Sequence, residues 1–177
     1  YTLDSTFTYS GYMHEDAGVI SSDYGIGSQV PLSDLLNHLI IYSDNDAGHI
    51  LYENLGGWKE YKEAMTKYTD SISENYYTMD NVTTANTMND VVTYIYDHKE
   101  DYKGLIKNME KAEPGEYLDR DTQLSMPQKY GMYDYALNSV GFVECNTSYS
   151  IVVLTSLGDK GADVMANINR IAYEHFK

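Results

Sequence analysis

The residues of this sequence best placed for chemistry are Ser43, Asp44 and Asn45, inside the polar break Tyr42-Ser43-Asp44-Asn45-Asp46-Ala47. Leu32, Leu35, Leu36, Leu39 and Ile40 repeat at helical spacing before the break. Ala47, Ile50, Leu51 and Leu55 do so after it, ahead of Gly56-Gly57. Three polar side chains are thus set at a helix-to-helix corner, gripped from both sides by apolar stripes. One reading is a cap, with Ser43 or Asp44 closing the start of the second helix. A calcium loop is excluded, because Leu55 stands where the twelfth-position glutamate would be. The remaining reading is a catalytic corner, which needs partners elsewhere in the chain. His14-Glu15-Asp16 is not a zinc-protease motif, since it has no second histidine at helical spacing, and no metal or cofactor is implied anywhere.

The elements around the corner follow from periodicity. Residues 1–30 are rich in Gly, Ser, Tyr and Asp and read as loop with one short strand. Pro31-Leu32-Ser33-Asp34 opens the helix that leads to Ser43. A short helix starts at Trp58, an aperiodic surface loop runs from Tyr68 to Asn81, and Thr84 caps a helix carrying Met88, Val91, Val92 and Ile95 on one face. Another helix spans Tyr102 to Lys111, then a Pro/Gly-punctuated loop reaches Pro127. From there the period changes to two. Gln128–Tyr133, Leu137–Cys145 and Tyr149–Ser156 read as three strands joined by short antiparallel connections. Ile151-Val152-Val153-Leu154 is apolar on both faces, so helices are expected on both sides of it. The last helix is expected to bury a stripe of Val164, Ile168 and Ile171.

Composition removes several function classes. A length of 177 residues fits a single domain, 1–177, with a core that needs no staples. A formal charge of −15 with 12 Lys+Arg excludes a nucleic-acid partner, and an anionic membrane surface for the same reason. No apolar run approaches the roughly 20 residues that span a bilayer. One cysteine, Cys145, allows no internal disulfide. The 19 tyrosines read as amphipathic packing, ring inward and hydroxyl at water.

Taken together, Val30–Leu36, Tyr42–Ala47, Leu55-Gly56-Gly57, Asn81-Val82-Thr83-Thr84-Ala85 and Lys129-Tyr130-Gly131 resemble, in order and spacing, the class A β-lactamase and penicillin-binding-protein superfamily. The resemblance implies an α/β (α+β) fold: an antiparallel sheet, three strands of it in this chain, packed with helices on both faces. It also implies acyl transfer on a peptide, amide or β-lactam-like substrate. Ser43 would pass a proton between nucleophile and leaving nitrogen, and Asn45 would hold the substrate amide. Lys129 would ease that proton transfer and attract a substrate carboxylate. Tyr130 and Gly131 would lie beside the acyl chain, and the Met132 N–H would be an oxyanion donor.

Three departures accompany the resemblance. No serine has lysine three positions on, so the Ser-x-x-Lys nucleophile of the family is missing from these residues, and the chain is expected to be an N-terminally incomplete piece. The loop before Thr83-Thr84 lacks the Glu-x-x-Leu-Asn pattern that holds the deacylating water, so efficient β-lactam hydrolysis is not expected. Tyr130 replaces the small hydroxyl of the strand motif. The expected function is therefore part of a bacterial, extracellular or surface-bound serine hydrolase, completed by an N-terminal segment or a second copy. The alternative is an inactive binding module of the same fold on the cell surface, with cell-wall peptide or a protein as its partner.

Overall fold

The computed structural model describes residues 1–12 and 19–177, so His14-Glu15-Asp16 lies outside the described residues. The chain forms two compact units, residues 1–64 and 65–177.

In the first unit, β1 (Thr6–Thr8) pairs antiparallel with β2 (Gln29–Pro31), and α1 (Ile20–Asp23) lies between them in sequence. A two-stranded antiparallel sheet thus stands where the sequence suggested one strand, because Val30 and Phe7 bury their side chains in register while neighbours are more exposed. Pro31 ends β2 and leads directly into α2 (Leu32–Tyr42), followed by α3 (Asn45–Asn54) and α4 (Trp58–Met65). Phe7, Tyr9, Ile20, Val30, Leu35, Ala47 and Ile50 form the core, so both helices flanking the Ser43 corner are anchored in it. Gly56 and Gly57 both have positive φ, 105° and 95°, which lets the chain reverse between α3 and α4.

The corner is held by one buried carboxylate. Asp44 is fully buried and is the N-cap of α3; its Oδ1 accepts from the Ala47 N–H at 2.9 Å. Its Oδ2 accepts from the Ile20 N–H at 2.8 Å, tying α1 to the same point. One side chain therefore satisfies two otherwise orphaned helix donors.

In the second unit, α5 (Ala85–Asp97) is capped by the Thr84 hydroxyl, which accepts from the Thr87 N–H at 3.1 Å. It is followed by α6 (Lys103–Met109) and then by β3 (Gln128–Tyr133), β4 (Ala136–Val143) and β5 (Tyr149–Thr155), in the order β3-β4-β5 and antiparallel throughout. Alternation along β4 and β5 separates two cores. Val140, Phe142 and Val152 face α5, while Leu137, Val143, Ile151 and Val153 face α7 (Lys160–Phe176). The two-sided apolar strand thus has helices on both faces. Residues 68–81 contain a 3-10 turn, Glu74–Tyr77, that buries Tyr76.

The face of α7 differs from the expected one. Gly161, Met165, Ala166 and Asn169 are buried, whereas Val164, Ile168 and Ile171 are 37%, 42% and 55% exposed. Small residues win this face because the helix approaches the sheet closely. A Cβ on Gly161 would come within 2.5 Å of Thr155 Oγ1.

Two substitutions test this packing. Gly161→Ala gains helix propensity but overpacks the contact with Thr155, and is expected to lower unfolding free energy by about 1–3 kcal/mol in urea titration. Asp44→Ala leaves the Ala47 and Ile20 N–H groups without their acceptor and is expected to cost about 2–4 kcal/mol by the same measurement.

Candidate active site

The sequence-predicted residues fall into two clusters, one in each compact unit. Ser43 and Asn45 flank Asp44 at the α2–α3 corner. Lys129, Tyr130, Gly131 and Met132 follow one another along β3.

At the corner, Ser43 is in the left-handed region, φ 54° and ψ 35°, and its N–H donates to the His38 carbonyl as α2 ends. A non-glycine residue in this conformation is uncommon and is sustained by its surroundings. Here those are the α2 C-terminus behind it and the Asp44 cap ahead of it. Ser43 is half-buried and Asn45 exposed, while Asp44 and Asp46 are buried. Tyr9, also fully buried, lies beside these acids. Its phenol is pushed up to about 12, first by burial, then by its hydrogen bond to Asp46 and the charges of Asp46 and Asp44. Tyr9 therefore stays a neutral donor under this corner. Neither Tyr9 nor Asp46 was singled out as a partner by sequence reasoning, because nothing in their spacing joins a loop tyrosine to a helix carboxylate 37 positions later.

His38 also contributes to the corner. Its ring is buried, its Nε2 lies 3.3 Å from Asp23 Oδ2, and its ring edge meets Tyr24. It is a packed histidine.

On β3, Lys129 is half-buried. Its Nζ donates to the Tyr130 carbonyl at 3.0 Å and lies 4.2 Å from the centre of the Tyr130 ring. Burial draws the ammonium down to about 8, opposed by the nearby Glu113 carboxylate. Tyr130 stacks on Tyr117 with ring centres 4.8 Å apart. Glu113 and Tyr117 both lie on the loop before β3, and sequence reading gave them no role. Gly131, Met132 and Tyr133 are exposed. A Cβ at Gly131 would meet no described atom within 4 Å. Among the described residues β3 pairs only with β4, so its outer backbone edge is open to an added chain. A half-buried cation beside an open strand edge can hold an anion and a peptide-like backbone together.

No group of three or more His, Cys, Asp or Glu able to hold a metal occurs among the described residues, and no described helix is long and apolar enough to cross a membrane.

Comparison with known proteins places this arrangement. The model of the β-lactamase enzyme family matches residues 1–176. No curated protein sequence matches. Among solved structures, the TLA-1 extended-spectrum β-lactamase superposes with TM-score 0.81 at 18% identity, over 98% of this chain and 75% of that one. PBP-A superposes with TM-score 0.80 at 15% identity, over 99% and 72%. A β-lactamase from Chitinophaga pinensis gives 0.78 at 20% identity, over 99% and 77%. At these identities the structures speak for the fold, which is the β-lactamase/transpeptidase-like α+β arrangement. The match of the family model along nearly the whole length is what assigns kinship: this chain belongs to the β-lactamase enzyme family.

Proposed function

We propose that the chain supplies residues of an acyl-transfer site, in one β-lactamase-like domain, that binds amide, peptide or β-lactam substrates. The observation that carries this reading is Lys129, a half-buried ammonium drawn down to about 8 beside the open edge of β3. A partly desolvated cation beside an open strand edge is the kind of group that recurs at binding and catalytic sites. In this reading Ser43 and Lys129 serve the same acyl transfer. Lys129 attracts the substrate carboxylate, Asn45 holds the amide, and the acyl chain lies along Gly131 with its carbonyl oxygen at the Met132 N–H. The acylated serine belongs to residues outside these 177, as Ser-x-x-Lys does not occur within them. During acylation that serine's Oγ bonds to the carbonyl carbon as the C–N bond breaks. The Ser43 hydroxyl relays the serine's proton to the leaving nitrogen. A variant of PBP-A has been solved as an acyl-enzyme complex with penicillin G, so a fold of this kind accommodates that adduct. Secretion or surface display in a bacterium fits a family whose substrates lie outside the membrane.

A second reading, a binding module without catalysis, draws on Tyr130. Its ring is stacked on Tyr117, where the family motif has a small hydroxyl for the substrate carboxylate. The two readings differ in the covalent step, while both keep Lys129 as an anion site.

Titrating the chain with penicillin G by calorimetry is expected to show saturable binding, weakened about tenfold or more by Lys129→Ala. Absence of saturable binding by the unaltered chain would contradict both readings. A longer parent containing the nucleophile is expected to form a covalent adduct with a fluorescent penicillin, and the absence of one at saturating probe would leave only the binding module.

The titration of Lys129 also has a stability consequence. Its folded value of about 8 lies below the ordinary 10.5, so between these limits the unfolded chain binds more protons. Stability contributed by this group therefore rises as pH increases from 8 to 10.5. Denaturant titrations across this range are expected to show that rise in the unaltered protein relative to Lys129→Met.

A further inference from the structure

Gln128 immediately precedes Lys129 and is 1% exposed. An uncharged amide this deeply buried has to be hydrogen-bonded, and every bond it makes goes to the preceding loop. Its Oε1 accepts from the Leu118 N–H at 3.0 Å. Its Nε2 donates to Asp119 Oδ1 at 2.8 Å and to the Glu113 carbonyl at 3.2 Å. Asp119 is itself 4% exposed, and its Oδ2 accepts from the Gly115 N–H at 2.9 Å. A second clamp acts from the other side: Asn169 Nδ2, fully buried on α7, donates to the Leu118 carbonyl at 2.8 Å. Residues 113–119 are thus fastened to β3 by side-chain amide bonds in place of a strand ladder. Glu113 enters this loop with φ 48°, and Gly115 follows with φ 81°.

The loop held in this way carries the two groups found around Lys129. Tyr117 stacks on Tyr130, whose ring lies under the ammonium, and Glu113 supplies the nearby carboxylate. We infer that Gln128 and Asp119 are positioning residues for Lys129: their buried hydrogen bonds dock the 113–119 loop as the wall that desolvates the ammonium and aligns the Tyr117–Tyr130 pair beside it. Neither residue reaches the substrate. This inference rests on the reading of Lys129 as the anion-binding cation, and it names what keeps that cation in place. The depressed titration of Lys129 follows from the geometry, because a released loop would let water back to Nζ.

The experiment is the pH dependence of Lys129 acetylation by trace acetic anhydride, read on its peptide by mass spectrometry. The unaltered protein is expected to show a midpoint near 8. Gln128→Leu is expected to move it upward by about one pH unit or more, toward ordinary lysine. Asp119→Asn serves where Gln128→Leu does not fold, since an amide keeps at most one of the two bonds the carboxylate accepts. Losing a negative charge alone would lower the Lys129 midpoint, so an upward shift in Asp119→Asn reports release of the loop. Thr87→Ala removes a buried hydroxyl that bonds the Ser71 carbonyl, and is expected to cost stability while leaving the midpoint unchanged. A folded Gln128→Leu or Asp119→Asn protein that keeps the unaltered midpoint overturns the inference. Penicillin binding by Lys129→Ala is scored separately, so a failed substrate reading and a failed positioning role give different results.

Discussion

Burying a lysine ammonium is costly, and the second unit is built so that this cost is met at one place. Lys129 loses water because Tyr130 lies beneath it and Tyr117 backs that ring, and it keeps its charge partly through Glu113. Tyr117 and Glu113 belong to a loop with no regular hydrogen-bond ladder. The buried amide of Gln128 and carboxylate of Asp119 replace the ladder. An ammonium drawn down to about 8 keeps substantial charge at neutral pH, so it attracts an anion and still exchanges a proton readily.

The first unit solves a parallel problem with a different group. A left-handed serine between two helices is a strained joint, and Asp44 stabilises it by accepting from the starts of both α1 and α3. Burial first, then the Asp46 hydrogen bond and the charges of Asp46 and Asp44, hold the Tyr9 phenol protonated beneath the corner. Ser43 and Asn45 are thereby presented from a rigid base while the neighbouring acids point into the core. The middle residue of the motif is structural, and in the proposed reading the outer two are left for substrate.

Much of this was legible in the residues. The three strands appear within two residues of their expected ends, because β-branched alternation and short polar connections are local signals. Asp44 as a cap and Thr84 as a cap follow from residue type and position. The face of α7 was misread because periodicity reports where large apolar groups recur, while the buried face here is set by close approach and uses Gly161, Ala166 and Asn169. The 113–119 loop was illegible for another reason. Its stability comes from side-chain bonds between residues 4 to 51 positions apart, and neither spacing nor composition encodes such partners. The β1–β2 pair was half seen, since two three-residue strands carry too little alternation to register.

The family assignment rests on the whole chain, whereas the proposed chemistry rests on two clusters of residues, one in each unit. The most direct measurement is the distance between Ser43 Oγ and Lys129 Nζ in a crystal structure of the protein. The account predicts direct hydrogen-bonding reach, about 3 Å, or about 5–6 Å with one bridging water. A separation beyond about 10 Å, with both side chains ordered, would contradict a shared acyl-transfer site.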